Sequence, residues 1–598
     1  SGPVLAGVAI IAIVFLPLLT LEGLEGKLFR PVALTIVFAL GASLLIALTI
    51  VPVMASLLLK TASHTDPWLV RKLSAGYRRV LDWSFNHTRI VVTVALLSLV
   101  AAGWAYTRVG KTFMPTLDEG DVIVQLQKLP SVSLGATAAL DLRVQQALLK
   151  EVPEIKSIVA RSGSDDLGLD PVGLDETDTF LVLKPMSQWR GSKDEVIEAM
   201  RKVLERFPGV DFGFTQPIEM RVSEMLTGSR GDLVVKIFGP DIAQLGDLSQ
   251  QVAETLKAVP GAQEVLAARP EGVQYLTVQV DRLAAGRAGF DVDSLQQDLR
   301  ALVEGQPQGM VLEGVRRTPL LLRGGADLRS NPQAFAQVSI TAPDGTAYPL
   351  SQLARLTPTQ GPVLVAHEDG SRFAAVQANV SGRDLVSYVA DAKQAVATKV
   401  KLPEGTRLEW GGQFENQQRA AARLGLVVPV ALALIFVLLM TTFGSVRQSV
   451  LVFANIPFAL VGGVIALWAS GQYMSVPASV GFIALLGIAV LNGVVLVSHF
   501  NELLQRGLPL AQAVRDGAMR RLRPVMMTAT ITAFSLIPLL PATGPGSEIQ
   551  KPLAIVVIGG LITSTALTLV LLPLMFARFG LPRIARETEA ATQKTENV

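Results

Sequence analysis

Asp175, Glu176 and Asp178 stand together just ahead of a β-branched run starting at Phe180, and Asp165, Asp166 and Asp170 precede them. The chain has no cysteine and only four histidines, so a metal held here would be held by oxygen. Side chains alternate in an extended segment, which puts Glu176 and Asp178 on one side, where both could reach one cation. Exposed carboxylates would hold a divalent ion weakly, as transport requires. Each step of about 1.4 kcal/mol in affinity slows release about tenfold at a fixed on-rate. Taken alone, the run also reads as a solvated acidic loop.

Other chemistry is absent from the sequence. The histidines do not cluster: His64 and His87 lie in a basic connector, His499 ends an apolar run, and His367 sits beside Glu368 and Asp369. They read as surface residues, with His367 an alternative metal ligand. There is no Gly-rich loop ending in Gly-Lys-Ser/Thr, no His-Glu-x-x-His and no serine elbow, so neither an enzyme nor a nucleotide motor is expected. The net charge of +3 reflects scattered basic loops. No aromatic-interleaved basic patch points to nucleic acid.

The elements that position the acidic run are those of a membrane protein. Half the residues are hydrophobic and 17% are charged, a balance typical of many spans. Uncharged runs cover about 2–21, 31–59, 90–107, 424–446, 448–498, 524–547 and 552–577, each long enough for a helix across a roughly 30 Å hydrocarbon core. The run 448–498 is twice too long, and Ser470-Gly471-Gln472-Tyr473 with Pro477 divides it, giving eight helices. Lys60, Arg71, Lys72, Arg78, Arg79 and Arg89 follow the second run, and Arg506, Arg515, Arg520, Arg521 and Arg523 follow the sixth. Both segments are expected in the cytoplasm, which places the polar block 108–420 in the periplasm. Residues 61–89 read as an amphipathic interfacial connector facing lipid headgroups. Residues 499–523 read as a cytoplasmic helix and 579–598 as a disordered tail. Ser1 opens without a methionine or targeting signal, so the sequence reads as a fragment.

Inside 108–420 a unit recurs: an amphipathic helix, an apolar residue with proline, then a β-rich run. Val152-Pro153, Phe207-Pro208, Val259-Pro260 and Leu402-Pro403 mark four such stops, each turning a helix into extended chain. Strands are expected at Gly120–Leu126, Phe180–Lys184, Leu233–Phe238 and Tyr275–Val280. The result is an α+β domain of two split βαβ sandwiches, βαββαβ each, with an insert at about 305–358. One irregular α/β domain is the alternative.

Several motifs are specific. Thr20-Leu21-Glu22-Gly23, Glu25-Gly26-Lys27-Leu28-Phe29-Arg30-Pro31, Phe113-Met114-Pro115, Leu117-Asp118-Glu119-Gly120, Gln216-Pro217-Ile218-Glu219-Met220-Arg221, Gly411-Gly412-Gln413-Phe414-Glu415 and Arg521-Leu522-Arg523-Pro524 together resemble the heavy-metal branch of the resistance-nodulation-division (RND) efflux pumps. The resemblance runs from near the start to about residue 578. Family pumps have twelve spans and two periplasmic loops, so it implies that the sequence begins at the fifth span. It also implies two ferredoxin-like subdomains, an inserted docking subdomain, a homotrimer, a periplasmic membrane-fusion adaptor, an outer-membrane channel and an inner-membrane location.

Copper and silver exporters of that branch line their cleft with methionines, and local alignment places Gln125, Glu176 and Glu224 at those positions. Carboxylates there favour zinc, cobalt, nickel or cadmium, and the sequence looks closest to the cobalt-zinc-cadmium type. Glu176, Asp178, Glu224, Asp175 and Gln125 are the resulting candidate ligands, with no cofactor. Met220 and Met225 flank Glu224 and keep copper or silver open. An RND exporter of organic solutes and a non-transporting assembly factor are the other readings. The family runs on protons, but the eight runs hold no Asp, Glu, Lys or Arg. The partner side of the relay falls on Asn492 and Thr528, with Thr530 and Thr532 near, although Ser and Thr also serve close helix packing.

Overall fold

The computed structural model describes residues 2–58, 67–115, 117–164, 172–227, 230–544 and 546–580. The first apolar section comprises α1 (Gly2–Leu19), α2 (Gly23–Leu48), α3 (Ile50–Leu58), α4 (Trp68–Asn86) and α5 (Thr88–Arg108). Helix α2 starts two turns before its apolar run and passes through Pro31, carrying Glu25 into the protein with 1% of its surface exposed. Arg419, on the helix Gln413–Phe443, faces it with Nε 3.6 Å from the carboxylate, and Glu22 pairs with Arg423 at 2.5 Å. Helix α4 is amphipathic, as its sequence pattern requires. The Tyr77 hydroxyl donates to the Leu569 carbonyl at 2.7 Å and Leu81 is buried, while Trp68, Leu73 and Trp83 are exposed.

Among the described residues, seven helices are long and apolar enough to cross a membrane, and Leu5–Leu19 is a shorter apolar helix. The long run divides where its turn residues predict, into Ile456–Ala469 and Val476–Gln505. Ile456–Ala469 packs directly on the final helix, Ser547–Phe579, through glycine. A Cβ on Gly462 would lie 2.1 Å from the Gly559 carbonyl oxygen, and one on Gly559 would lie 2.6 Å from that of Gly462. Thr563 Oγ1 and Ala466 Cβ close the remaining space, each 2.4 Å from one of those Cβ positions, so neither glycine can carry a side chain, the small-residue packing that close apolar helices need. Gly462→Val therefore drives these helices apart. It should cost several kcal/mol, read as loss of a monodisperse peak and of the melting transition in detergent, while Gly41→Val, in open space, changes neither.

The polar block opens with β1 (Val122–Gln127), α6 (Leu134–Glu151), β2 (Ile155–Ser162), β3 (Glu176–Leu183), α7 (Lys193–Leu204) and β4 (Asp211–Thr215). The strands form an antiparallel sheet in the order β2-β3-β1-β4. Val144 and Leu148 of α6 and Val196, Met200 and Val203 of α7 bury one face of it. Helix α8 (Pro217–Thr227) leads to the second unit: β5 (Leu233–Phe238), α9 (Ile242–Lys257), β6 (Ala262–Ala267), and, after an insert, Ser371–Val380, the helix Leu385–Lys399 and Arg407–Gly412. Its order, β6, Ser371–Val380, β5, Arg407–Gly412, repeats that of the first unit, with a short fifth strand, Ala366–Glu368, also paired to Ser371–Val380. All four proline stops lie between a helix and the next strand.

Strand β7 (Glu271–Val280) departs from expectation. Tyr275–Val280 is extended, but it pairs with Ala354–Pro362 in a separate two-stranded ladder, so the inserted segment reaches back to Glu271. A strand's pattern reveals its state and not its partner.

Under the first sheet lies a buried ion pair. Lys128 Nζ, on a side chain 2% exposed, donates to Asp141 at 2.9 Å and to the Thr177 hydroxyl at 2.6 Å, and Ser162 and Thr177 both donate to Asp141. Burial pushes the Lys128 ammonium below its usual pKa, and Asp141 opposes the shift. Asp141→Ala strands that cation and should cost about 3–5 kcal/mol, seen as a lowered unfolding midpoint. The double variant Lys128→Met/Asp141→Leu should recover most of the loss.

Candidate functional site

The acidic residues at the start of β3 face the second unit across a cleft. Glu176 and Asp178 share a face of the strand with Gln125 of β1, which is Asp178's register partner. Gln125 donates to Glu176 at 3.4 Å and accepts from Gln377 of the second sheet at 3.0 Å. The cleft, of about 510 Å³, is lined by Gln125, Asp175, Glu176, Glu224 and Arg230, and opposite by Leu266–Pro270 and Phe373–Ala375.

Two of the sequence motifs meet to aim Glu224 into this cleft. The Glu119 carboxylate accepts from the backbone N–H groups of Ile218 and Glu219 at 2.5 and 2.9 Å, at the N-terminus of α8, where the helix dipole favours an anion. The Glu119 N–H in turn donates to Gln216 at 2.9 Å, and Lys193 bridges Gln216 and Asp118 at 2.6 and 2.5 Å. Asp118-Glu119 and Gln216 to Arg221 are thus one device for orienting α8.

The candidate carboxylates divide into two groups. Among the described residues the Glu176 carboxylate bonds only to Gln125's amide, and its pKa is raised to about 7, by burial first and then by Asp175 and Asp178, against the pull of Arg230. Asp175 is 3% exposed with Oδ1 lacking a partner, and burial raises its pKa as well. Asp178 and Glu224, by contrast, share one guanidinium. Arg230 approaches Asp178 at 2.5 and 3.1 Å and Glu224 at 2.6 Å. Arg161 also donates to Asp178, at 3.0 Å. Glu176 and Asp178 do share a face of the strand, and the Asp178 oxygens are engaged by Arg230 and Arg161. Among the described residues, no three Asp, Glu, His or Cys side chains gather as a metal-holding group.

Asp165, Asp166, Asp170 and His64, and the side chain of Met225, lie outside the described residues. Met220 is buried and is not among the cleft residues. His367 is exposed, its ring facing the Val365 carbonyl. Of the relay candidates, Asn492 is buried with Nδ2 unpartnered, while Thr528 is exposed and donates to the Val525 carbonyl at 2.9 Å.

A second acidic cleft is not apparent from the sequence. Glu219, Asp232 and Glu264 line it, together with Lys193 and Arg201, and it shares Gln125, Arg230, Leu266 and Gln377 with the first. Burial and then the Asp232 charge raise the Glu219 pKa to about 7; burial raises Asp232 to about 6. Glu264 stitches the two sheets, accepting from Arg201 at 2.6 Å, the Phe214 N–H at 2.8 Å and Asn379 at 2.7 Å. A signal for Glu219 exists, since it lies inside the motif Gln216 to Arg221. Arg230 carries no such signal.

The profile of the AcrB/AcrD/AcrF family matches residues 1–580. The chain is 39% identical over 583 residues to the cobalt-zinc-cadmium resistance protein CzcA of Cupriavidus metallidurans, covering 96% of this chain and 55% of that one. It is 38% identical over 580 residues to the nickel and cobalt resistance protein CnrA of the same organism, covering 96% and 54%. A crystal structure of a heavy metal efflux pump superposes with a TM-score of 0.86 at 36% identity, covering 97% of this chain and 58% of that one. The chain thus spans about half the length of the curated relatives it matches.

Proposed function

Because this chain belongs to the AcrB/AcrD/AcrF family, we propose that it works in proton-driven export of divalent heavy-metal cations, of the zinc, cobalt, cadmium or nickel class. The observation that carries this reading is the cleft between the two sheets: its donors are the carboxylates of Glu176, Asp175 and Glu224 and the amide of Gln125, and no methionine lines it among the described residues. Oxygen donors suit these ions better than Cu(I) or Ag(I). Among the described residues a single aromatic, Phe373, lines it, which disfavours a cleft for bulky organic solutes. The names of CzcA and CnrA carry the same metals.

In this reading the four-stranded and the five-stranded sheet are each the sheet of a ferredoxin-like subdomain, the two alternate the cleft between open and closed, and α1 is the eighth span beside the seven longer ones. The block sits in the periplasm above an inner-membrane domain. The chain acts in a homotrimer, with a periplasmic adaptor and an outer-membrane channel. The hairpin Gln306–Glu313 and Arg316–Leu322 supports subunit contact, because it is exposed throughout and carries Met310, Leu312, Val315 and Leu320 into solvent. Asn492 and Thr528 stand on the partner side of a proton relay whose ionisable groups lie elsewhere.

The test is a tolerance panel in a bacterium stripped of its own exporters. Expression of the protein should raise tolerance to zinc, cobalt, cadmium or nickel. Protection against silver or copper alone would move the reading to the monovalent branch, and protection against dyes alone to organic solutes.

A further inference from the structure

Arg230 stands where a cation bound by Asp178 and Glu224 would stand. Its guanidinium is held from two separate elements, β3 and α8, at 2.5 Å from Asp178 and 2.6 Å from Glu224, and its side chain is 11% exposed. The residue also lines both acidic clefts, which share it with Gln125, Leu266 and Gln377. Beside it, among the described residues, Glu176 has no cationic hydrogen-bond partner and the buried Asp175 Oδ1 has none at all.

We propose that Arg230 is a tethered competitor for the transported ion. With the cleft empty, the guanidinium neutralises Asp178 and Glu224. A divalent ion entering at Glu176 and Asp175 displaces it from Glu224, and its return helps expel the ion. The inference rests on the metal-cleft reading above. A fixed positive charge a few ångströms from the ion must weaken binding, because like charges disfavour each other most where water is excluded. Arginine suits this role because it stays charged and its planar fork engages two carboxylates at once. The neutral Arg230→Gln removes the competitor while leaving every oxygen donor in place.

Zn²⁺ titrated into the purified protein by calorimetry is the experiment, with Arg230→Gln and Arg230→Lys alongside. Arg230→Gln should bind Zn²⁺ at least tenfold more tightly, release it more slowly to a chelator in stopped flow, and confer less tolerance in cells. Arg230→Lys should stay within about threefold of the parent. A purely structural arginine predicts the reverse: weaker binding in Arg230→Gln. Unchanged or weaker affinity overturns the proposal while leaving the metal cleft standing, whereas a parent that binds no Zn²⁺ removes the reading beneath it. If Arg230→Gln does not fold, ¹⁵N-arginine spectra of the parent decide. The Arg230 resonance, assigned by its loss in Arg230→Lys, should shift on Zn²⁺ addition, and no shift refutes displacement.

Discussion

Glu176→Gln should lower the affinity of the purified protein for Zn²⁺ by about 30-fold or more, on the order of 2 kcal/mol, without unfolding it. The amide keeps the size of the side chain and its contact with Gln125, so what is lost is the charge and one anionic oxygen. The stability consequence has the opposite sign. The Glu176 pKa is about 7 in the folded protein against an ordinary value of 4.5, so the folded state favours the protonated form. That contribution is full below pH 4.5 and is lost as pH rises through 7, where the ionised carboxylate is costly. A neutral glutamine removes this cost, and the melting temperature at pH 8 should hold or rise. Lost affinity with an unchanged or higher melting point marks a ligand. Lost affinity with a lower melting point would mean that Glu176 is structural.

Metal binding should fall steeply in mild acid. An ion that needs the Glu176 carboxylate ionised must displace its proton below pH 7. Between pH 7.5 and 5.5 the ionised fraction of a group with a pKa of about 7 drops about 25-fold, whereas at an ordinary pKa of 4.5 it would hardly change. Affinity for Zn²⁺ should therefore drop by about 25-fold over that interval, and further if Asp175, whose pKa burial also raises, takes part. In Glu176→Gln the same interval should produce a much shallower decline. A flat profile in the parent would place the ion on carboxylates of ordinary pKa.

Much of this architecture is legible in the sequence because it depends on local chemistry. Uncharged runs of fixed length reveal helices that can cross a membrane, and prolines after amphipathic helices reveal the four helix-to-strand joints of the two repeated units. Strand alternation puts Glu176 and Asp178 on one face. What stays hidden depends on contacts distant in sequence. Arg230 meets Asp178 across 52 positions, and nothing in Gly228-Ser229-Arg230-Gly231 distinguishes it from a loop arginine on the surface. The pairing of β7 with Ala354–Pro362 is hidden for the same reason, as is the second cleft, whose Glu219 and Asp232 come from a helix and from the edge of a strand. Glu25 is hidden differently. The apolar run begins after it, but the helix starts earlier and buries its carboxylate with Arg419 Nε 3.6 Å away.

The most direct test of the metal cleft is anomalous diffraction from crystals of the protein grown with Zn²⁺ at pH 8. The expected result is a peak between the two sheets, with a Glu176 carboxylate oxygen about 2.0–2.2 Å away and the Arg230 guanidinium drawn off Glu224. A zinc peak bound only elsewhere, with Glu176 still on Gln125 and Arg230 still on Glu224, would contradict it.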